Sequence, residues 1–374
     1  MTTQPLLSRV LRLLPIVALI PVVAIFTATL LPAQAQDTVT LMLAGYAVPR
    51  EAYEAMIPLF KEKWLAETGQ TVEFQRSYQA SGAQSRAVEG GFEADVVALS
   101  IEPDITRLVN AGLVTEDWKT DNPYNGIVFE SVVVLVTREG NPLGITGWED
   151  LVSGDVQVIT PDPATSGGAQ WNLLAAIGAV QRGQVAGYEG DAAVETYLRD
   201  LIPHLAVLDK DGRESFLTFE RGVGDVAITY ENELFTAQAA GSVYTVVYPS
   251  STLLIQNPVA VVDTYVDKRG TREVAEAFVE FLWSPEAQTV FAQKGYRPVN
   301  AEVRASIGLP QASVVEAVAT AESVEPVAIE GVPAFGTVTD LFSVVEFGGW
   351  GEARKIYFED EGLFTKLISE VTPQ

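Results

Sequence analysis

The stretch Val156-Gln157-Val158-Ile159-Thr160-Pro161-Asp162-Pro163-Ala164-Thr165-Ser166-Gly167-Gly168-Ala169-Gln170-Trp171 decides the fold class. Val156–Ile159 reads as a strand, and Thr160-Pro161-Asp162-Pro163 carries the chain out of it. Thr165-Ser166-Gly167-Gly168 then turns into a helix beginning near Ala169-Gln170-Trp171. The same strand–turn–helix order extends in both directions. Val39–Tyr46 reads as a strand running into a glycine turn at Gly45. A helix follows from about Arg50, because Tyr53, Met56, Ile57, Phe60 and Trp64 recur at three- and four-residue spacing. Pro58 inside that run predicts a kink or a delayed regular start, and Gly69 predicts the stop. Strands over Val72–Phe74, Ala94–Leu99 and Gly224–Tyr230 continue the alternation, which implies parallel α/β sheets rather than a sandwich or a bundle.

Two apolar runs, Ile127–Val136 and Val243–Ile255, have no helix of their own. Each falls where a chain would cross between two α/β lobes, so the expectation is a bilobal protein with a discontinuous first lobe and a ligand cleft. The expected division is residues 1–36 as a leader, 37–126 and 246–300 as lobe 1, 127–245 as lobe 2, and 301–374 as a C-terminal region. Within the last, Ala312–Pro333 has no clear period and no aromatic residue, and reads as an extended surface excursion (312–333).

Composition narrows the chemistry. The 374 residues carry 24 Lys+Arg against 49 Asp+Glu, a net charge of −25. That balance disfavours nucleic acid, whose phosphates demand basic contacts. There is no cysteine, which removes thiolate metal sites, iron–sulfur clusters and cysteine nucleophiles; with one histidine, His204, neither a His-rich metal site nor a cofactor is expected. Residues 1–36 hold Arg9, Arg12 and no acid; 24 less those two leaves 22 basic residues, so the rest carries −27. The basic start, the apolar run Leu13–Leu31 and the small residues Ala33 and Ala35 predict a cleavable signal peptide and a periplasmic location, although the run is long enough for an uncleaved anchor.

Three polar or glycine turns open helices or loops: Ser81-Gly82-Ala83, Ser166-Gly167-Gly168 and Asp211-Gly212-Arg213. Free N–H groups and the helix dipole make the Ser166-Gly167-Gly168 turn a natural anion site, while taken alone a plain N-cap with a tight turn is the commoner explanation. Motifs for nucleotide, phosphate-loop, esterase and zincin chemistry are absent. His204 lies among apolar neighbours and reads as structural. Glu231 and Glu233 could form an acid–base pair, but surface or hinge hydrogen bonding is the commoner use.

At these residues the chain resembles the sulfate-binding proteins, receptors of sulfate and thiosulfate ABC importers with a periplasmic-binding-protein type II fold. The resemblance rests on Thr68–Ser77, on Asp162–Asn172 with its Ser-Ser-Gly-Gly-like turn, and on Glu220–Val226, Tyr230–Glu233, Tyr296–Pro298 and Glu346–Trp350. It implies two α/β lobes joined by hinge strands, no catalysis, a monomer, and delivery of the ligand to a membrane permease. It also implies a dehydrated dianion held by neutral donors: the Ser81 hydroxyl, the Ser166 hydroxyl, the N–H groups of Ser166, Gly167, Gly168 and Gly212, and the Tyr230 hydroxyl where the family often has tryptophan. Gln170 replaces a usual arginine, Arg76 a glutamine, and Ala47 a frequent aspartate.

Sulfate has no proton to donate at neutral pH, so a donor-only site suits it, whereas protonated phosphate needs an acceptor. Hydrogen bonds to a charged group contribute roughly 1.5–3 kcal/mol each, and about six or seven could offset much of the desolvation cost. Molybdate or phosphate is the alternative within the class. A carboxylate-based hydrolase using Glu231 and Glu233, or a receptor for a cation such as a polyamine, stands outside it.

Overall fold

The computed structural model describes residues 38–310 and 329–371. The chain opens with β1 (Thr38–Tyr46), α1 (Arg50–Thr68), β2 (Thr71–Gln79), α2 (Ser81–Glu89), β3 (Val96–Ala98) and α3 (Glu102–Asn110). β1 pairs with β2 and β3, both parallel. The long strand β4 (Ile127–Thr137) leaves this sheet. Next come β5 (Val158–Pro161), α4 (Gly167–Gln181), α5 (Ala193–Leu201), β6 (Leu205–Asp209), α6 (Gly212–Glu220), β7 (Val226–Tyr230), α7 (Glu231–Ala239) and β8 (Thr245–Val247). β5 is parallel to both β6 and β7, forming the second sheet.

The return strand is β9 (Ser251–Val261). Its Val259–Val261 end pairs antiparallel with β3, and Leu254–Pro258 pairs with the start of β4. The other half of β4, Val133–Thr137, pairs antiparallel with β7. β9 thus joins the first sheet through β3, β4 joins the second through β7, and the two pair with each other, which makes the molecule bilobal with β4 and β9 as hinge strands. The chain ends with α8 (Asp263–Arg269), α9 (Arg272–Phe281), α10 (Pro285–Gln293), β10 (Arg297–Pro298), α11 (Ala301–Ser306), β11 (Asp340–Phe342), α12 (Trp350–Tyr357) and α13 (Leu363–Val371).

The second crossing strand corrects the expected run. Residues 243–255 do not form one strand: β8 ends at Val247, and β9 begins at Ser251 and continues to Val261. Pro249 lies between them and has no N–H for a ladder. α1 likewise runs unbroken through Pro58, so the regular start is not delayed; Tyr53, Met56, Ile57, Phe60 and Trp64 are all buried. Packing explains why the lost backbone bond is tolerated, since Phe60 alone sits 5.1 Å from Phe278 and 6.0 Å from Phe74. Gly69 ends the helix at φ 74°, where glycine has no Cβ clash.

Two buried ion pairs brace the crossing strands. Arg297, which pairs in register with Glu130 across β10 and β4, donates from Nε and Nη2 to Glu231 at 2.8 and 3.0 Å. Arg304 donates to Glu130 at 2.9 Å. The expected leader lies outside the described residues, as does most of the 312–333 excursion; its described part, residues 329–333, forms a turn and no regular element.

Candidate functional site

Parallel strands bring their C-terminal ends, and the helix starts that follow, to one edge of each sheet. Here β1, β2, β5 and β6 end facing one another across the lobes. A small closed cavity lies there, lined by Tyr46, Ala47 and Val48 after β1, Gln79, Ala80 and Ser81 after β2, Ser166 and Gly168 after β5, and Asp211 and Gly212 after β6. Its volume is about 10 Å³, on the order of the space a single ordered water needs. An organic substrate does not fit that scale.

Three helices start at this cavity: α2 at Ser81, α4 at Gly167 and α6 at Gly212. The first-turn N–H groups of a helix have no partner within it, and the dipole places partial positive charge there. Ser166 caps α4 by accepting from the Ala169 N–H at 3.3 Å, and its own N–H is spent on the Asp162 carbonyl at 2.8 Å. What Ser166 offers the cavity is its hydroxyl proton. No Lys, Arg or His lines the space. Asp211 does, but its Oδ1 accepts from the Glu214 N–H at 2.9 Å and so caps α6.

Of the six residues expected from the sequence, Ser81, Ser166, Gly168 and Gly212 line the cavity, Gly167 and Tyr230 adjoin it without lining it, and two roles change. The Ser81 hydroxyl donates to Asp104 at 2.5 Å and accepts from the Ser100 N–H at 2.8 Å. Its proton is therefore committed, and the donor left at that position is the backbone N–H. The Tyr230 hydroxyl is bonded to the Ser100 hydroxyl at 2.9 Å, and its ring lies behind Gly168 rather than in the cavity wall. At Gly167 and Gly212 the lobes approach closely. A Cβ on Gly167 would sit 3.0 Å from Ser100, and one on Gly212 would sit 2.9 Å from Val48.

Sequence reasoning missed Ser100, which ties the lobes together behind Ser81. Its carbonyl accepts from Trp171 Nε1 at 2.9 Å and from Asn257 Nδ2 at 2.8 Å, while its N–H and hydroxyl serve Ser81 and Tyr230. It missed Tyr46 too, whose buried hydroxyl makes no well-formed hydrogen bond. Burial, then the neighbouring Tyr230, pushes the Tyr46 phenol well above its ordinary pKa, and burial does the same for Tyr230. Both phenols stay protonated at neutral pH and remain donors. The end-of-strand position of Tyr46 was the signal available.

The remaining candidates are structural. His204 Nδ1 lies 2.7 Å from the Val156 carbonyl. Gln170 donates to the Pro163 carbonyl at 2.9 Å and bears no charge into the site. Arg76 pairs with Glu54 at 3.1 Å on an exposed face. Glu231 and Glu233 are not surface groups, as both are fully buried. Glu231 belongs to the Arg297 pair at the hinge, and Glu233 lies 2.8 Å from Arg213.

Comparison with known proteins gives the family of the chain. The sequence profile of the bacterial extracellular solute-binding proteins matches residues 41–297. The sulfate-binding protein of Synechococcus elongatus is 44% identical over 333 residues, covering 89% of this chain and 87% of that one. The thiosulfate-binding protein of Pseudomonas aeruginosa is 35% identical, covering 88% and 92%. Among solved structures, the sulfate-binding protein SubI of Mycobacterium tuberculosis superposes with a TM-score of 0.71 at 36% identity, covering 86% of this chain and all of that one.

Proposed function

The chain belongs to the bacterial extracellular solute-binding proteins, in the branch of the sulfate- and thiosulfate-binding proteins, and on that premise we propose that it captures one sulfate or thiosulfate dianion between its lobes. The observation that carries the reading is the meeting of three helix starts and the Ser166 hydroxyl on one small cavity without a cationic side chain. A fully deprotonated dianion can accept from every donor there. The backbone N–H groups of Ser81, Gly167, Gly168 and Gly212, the Ser166 hydroxyl and the Tyr46 hydroxyl supply about the number of bonds its desolvation requires. Tyr230 supports the site from behind through Ser100.

The same reading includes export to the periplasm, delivery of the ligand to the permease of an ABC importer, a monomeric state and no catalysis. Glu231 and Glu233 support this last point: each faces an arginine, and neither lines the cavity.

Thermal unfolding in sulfate, thiosulfate, molybdate, phosphate and spermidine tests the ligand class, because stabilisation follows ligand concentration over Kd. Sulfate or thiosulfate is expected to raise Tm, and spermidine to leave it unchanged. Stabilisation by spermidine and by no oxyanion would overturn the proposal.

A further inference from the structure

Outside the cavity, one charged group spans the lobes. Arg213 follows Gly212 in the first turn of α6, yet its guanidinium turns away from the anion cavity. One Nη2 contact is Glu51 of α1, in the other lobe, at 2.8 Å, with the Val48 carbonyl at 3.4 Å. Its Nη1 lies 2.8 Å from Glu233 of α7. Together with Ala47, Arg50, Glu51, Tyr78 and Phe216, Arg213 lines a space of about 380 Å³ at the mouth between the lobes.

Glu233 is the unusual member. It is fully buried, and neither carboxylate oxygen makes a well-oriented hydrogen bond. The charges facing it are Arg213, Asp211 and Glu220 on α6 and Glu51 on α1, with the phenols of Tyr230 and Tyr296 beside it. One cation thus serves two carboxylates, one of which has no solvent. Resting on the anion-binding reading above, we propose that Arg213 is a positioning residue that latches the lobes over the bound anion, and that capture is coupled to uptake of one proton by Glu233.

The physical reason is charge balance. Burial lifts the Glu233 carboxyl to about 7, with Arg213 holding it down and the neighbouring acids pushing it up. Enclosing a dianion beside α6 adds negative charge to the same region and favours the protonated carboxyl further. A proton from solvent then moves onto a Glu233 oxygen. Arg213 is left with Glu51 and the anion's field as its partners. Binding and protonation reinforce each other reciprocally, so affinity rises as pH falls through about 7.

Calorimetric titration with sulfate, thiosulfate and phosphate tests this, run between pH 5.5 and 8.5 in buffers of different ionisation enthalpy. The wild type is expected to take up a proton on binding near pH 7 and to bind about five- to tenfold tighter at the acid end. Glu233→Gln should abolish both effects. Arg213→Met should raise Kd about tenfold through faster release, with part recovered by Arg213→Lys. Glu51→Gln removes a half-exposed partner without disturbing the core, and should raise Kd by roughly threefold. A role in folding alone would lower Tm without changing proton uptake or release. Absence of binding by any of the three oxyanions overturns the anion reading and the latch with it. Wild-type binding that the Arg213 and Glu51 variants leave within twofold, or that proceeds without proton uptake, overturns the latch alone.

Discussion

The hinge buries charge, and the cavity proposed for the anion would bury it by the opposite means. Beneath the crossing strands, Glu231 and Glu130 are matched by full positive charges on Arg297 and Arg304 at 2.8 and 2.9 Å. At the cavity the matching groups are three helix starts and a serine hydroxyl, with no cationic side chain in the wall. The difference follows from permanence. A residue's charge never leaves, so a fixed counter-ion suits it. A ligand must be released, and a site made of dipoles leaves no unpaired formal charge behind when it goes.

The contrast breaks most visibly at the hinge. Arg304→Met removes a buried cation from beside Glu130 and should cost about 3–5 kcal/mol in denaturant unfolding. Sulfate affinity of the folded protein should change far less. An affinity that fell in step with stability would erase the distinction between the two regions.

Ser166→Ala sharpens it from the other side. Losing one hydrogen bond to a charged ligand should weaken sulfate binding by roughly 1.5–3 kcal/mol, or about 10- to 150-fold in Kd. Stability should fall by only about 1 kcal/mol, from the lost cap on α4.

Glu233→Gln gives a smaller effect with a pH signature. The Glu233 carboxyl sits at about 7 in the fold against an ordinary value of 4.5. Its contribution to stability is therefore complete below the ordinary value and is lost as pH rises through 7. Measured by thermal unfolding, the variant should gain on the wild type between pH 5 and pH 8. A constant offset across that range would show that Glu233 does not titrate there.

The smallest effect concerns approach rather than capture. A net charge of −25 repels a dianion at long range. Raising ionic strength from 0.01 to 0.15 M shortens the Debye length from about 30 to 8 Å and should raise the association rate while leaving dissociation nearly unchanged. A fall in association rate would place cationic steering at the cleft.

What could be read from the sequence was what the chain encodes locally. Ser166 before two glycines is a cap signal within a few residues, and the strand before it and helix after it follow from composition. Strand–helix alternation likewise gave the parallel α/β sheets, and two apolar runs without a helix of their own gave the crossing between two lobes. Groups fixed by distant contacts were not legible. The Ser81 hydroxyl looked free, but Asp104, 23 residues on, takes its proton. Ser100 carries no motif; it matters because Trp171, Asn257 and Tyr230 meet on it from three separate elements. Glu231 and Glu233 read as surface or hinge groups because an acidic Glu-Asn-Glu run usually lies there, whereas both are buried, Glu231 against Arg297, the Tyr248 hydroxyl and the Gly336 N–H, and Glu233 against Arg213. The start of β9 was misplaced because apolar residues flank Pro249 on both sides, and pairing with β11 at its start and β3 at its end sets the strand's bounds.

The central claim is that neutral donors at three helix starts hold the anion. Its most direct test is calorimetric titration of the wild type with sulfate beside the double variant Ser166→Ala, Gly168→Pro, whose fold is checked by circular dichroism. The account predicts one sulfate bound per chain, and no detectable binding by the folded variant. Sulfate bound equally by both proteins would contradict it.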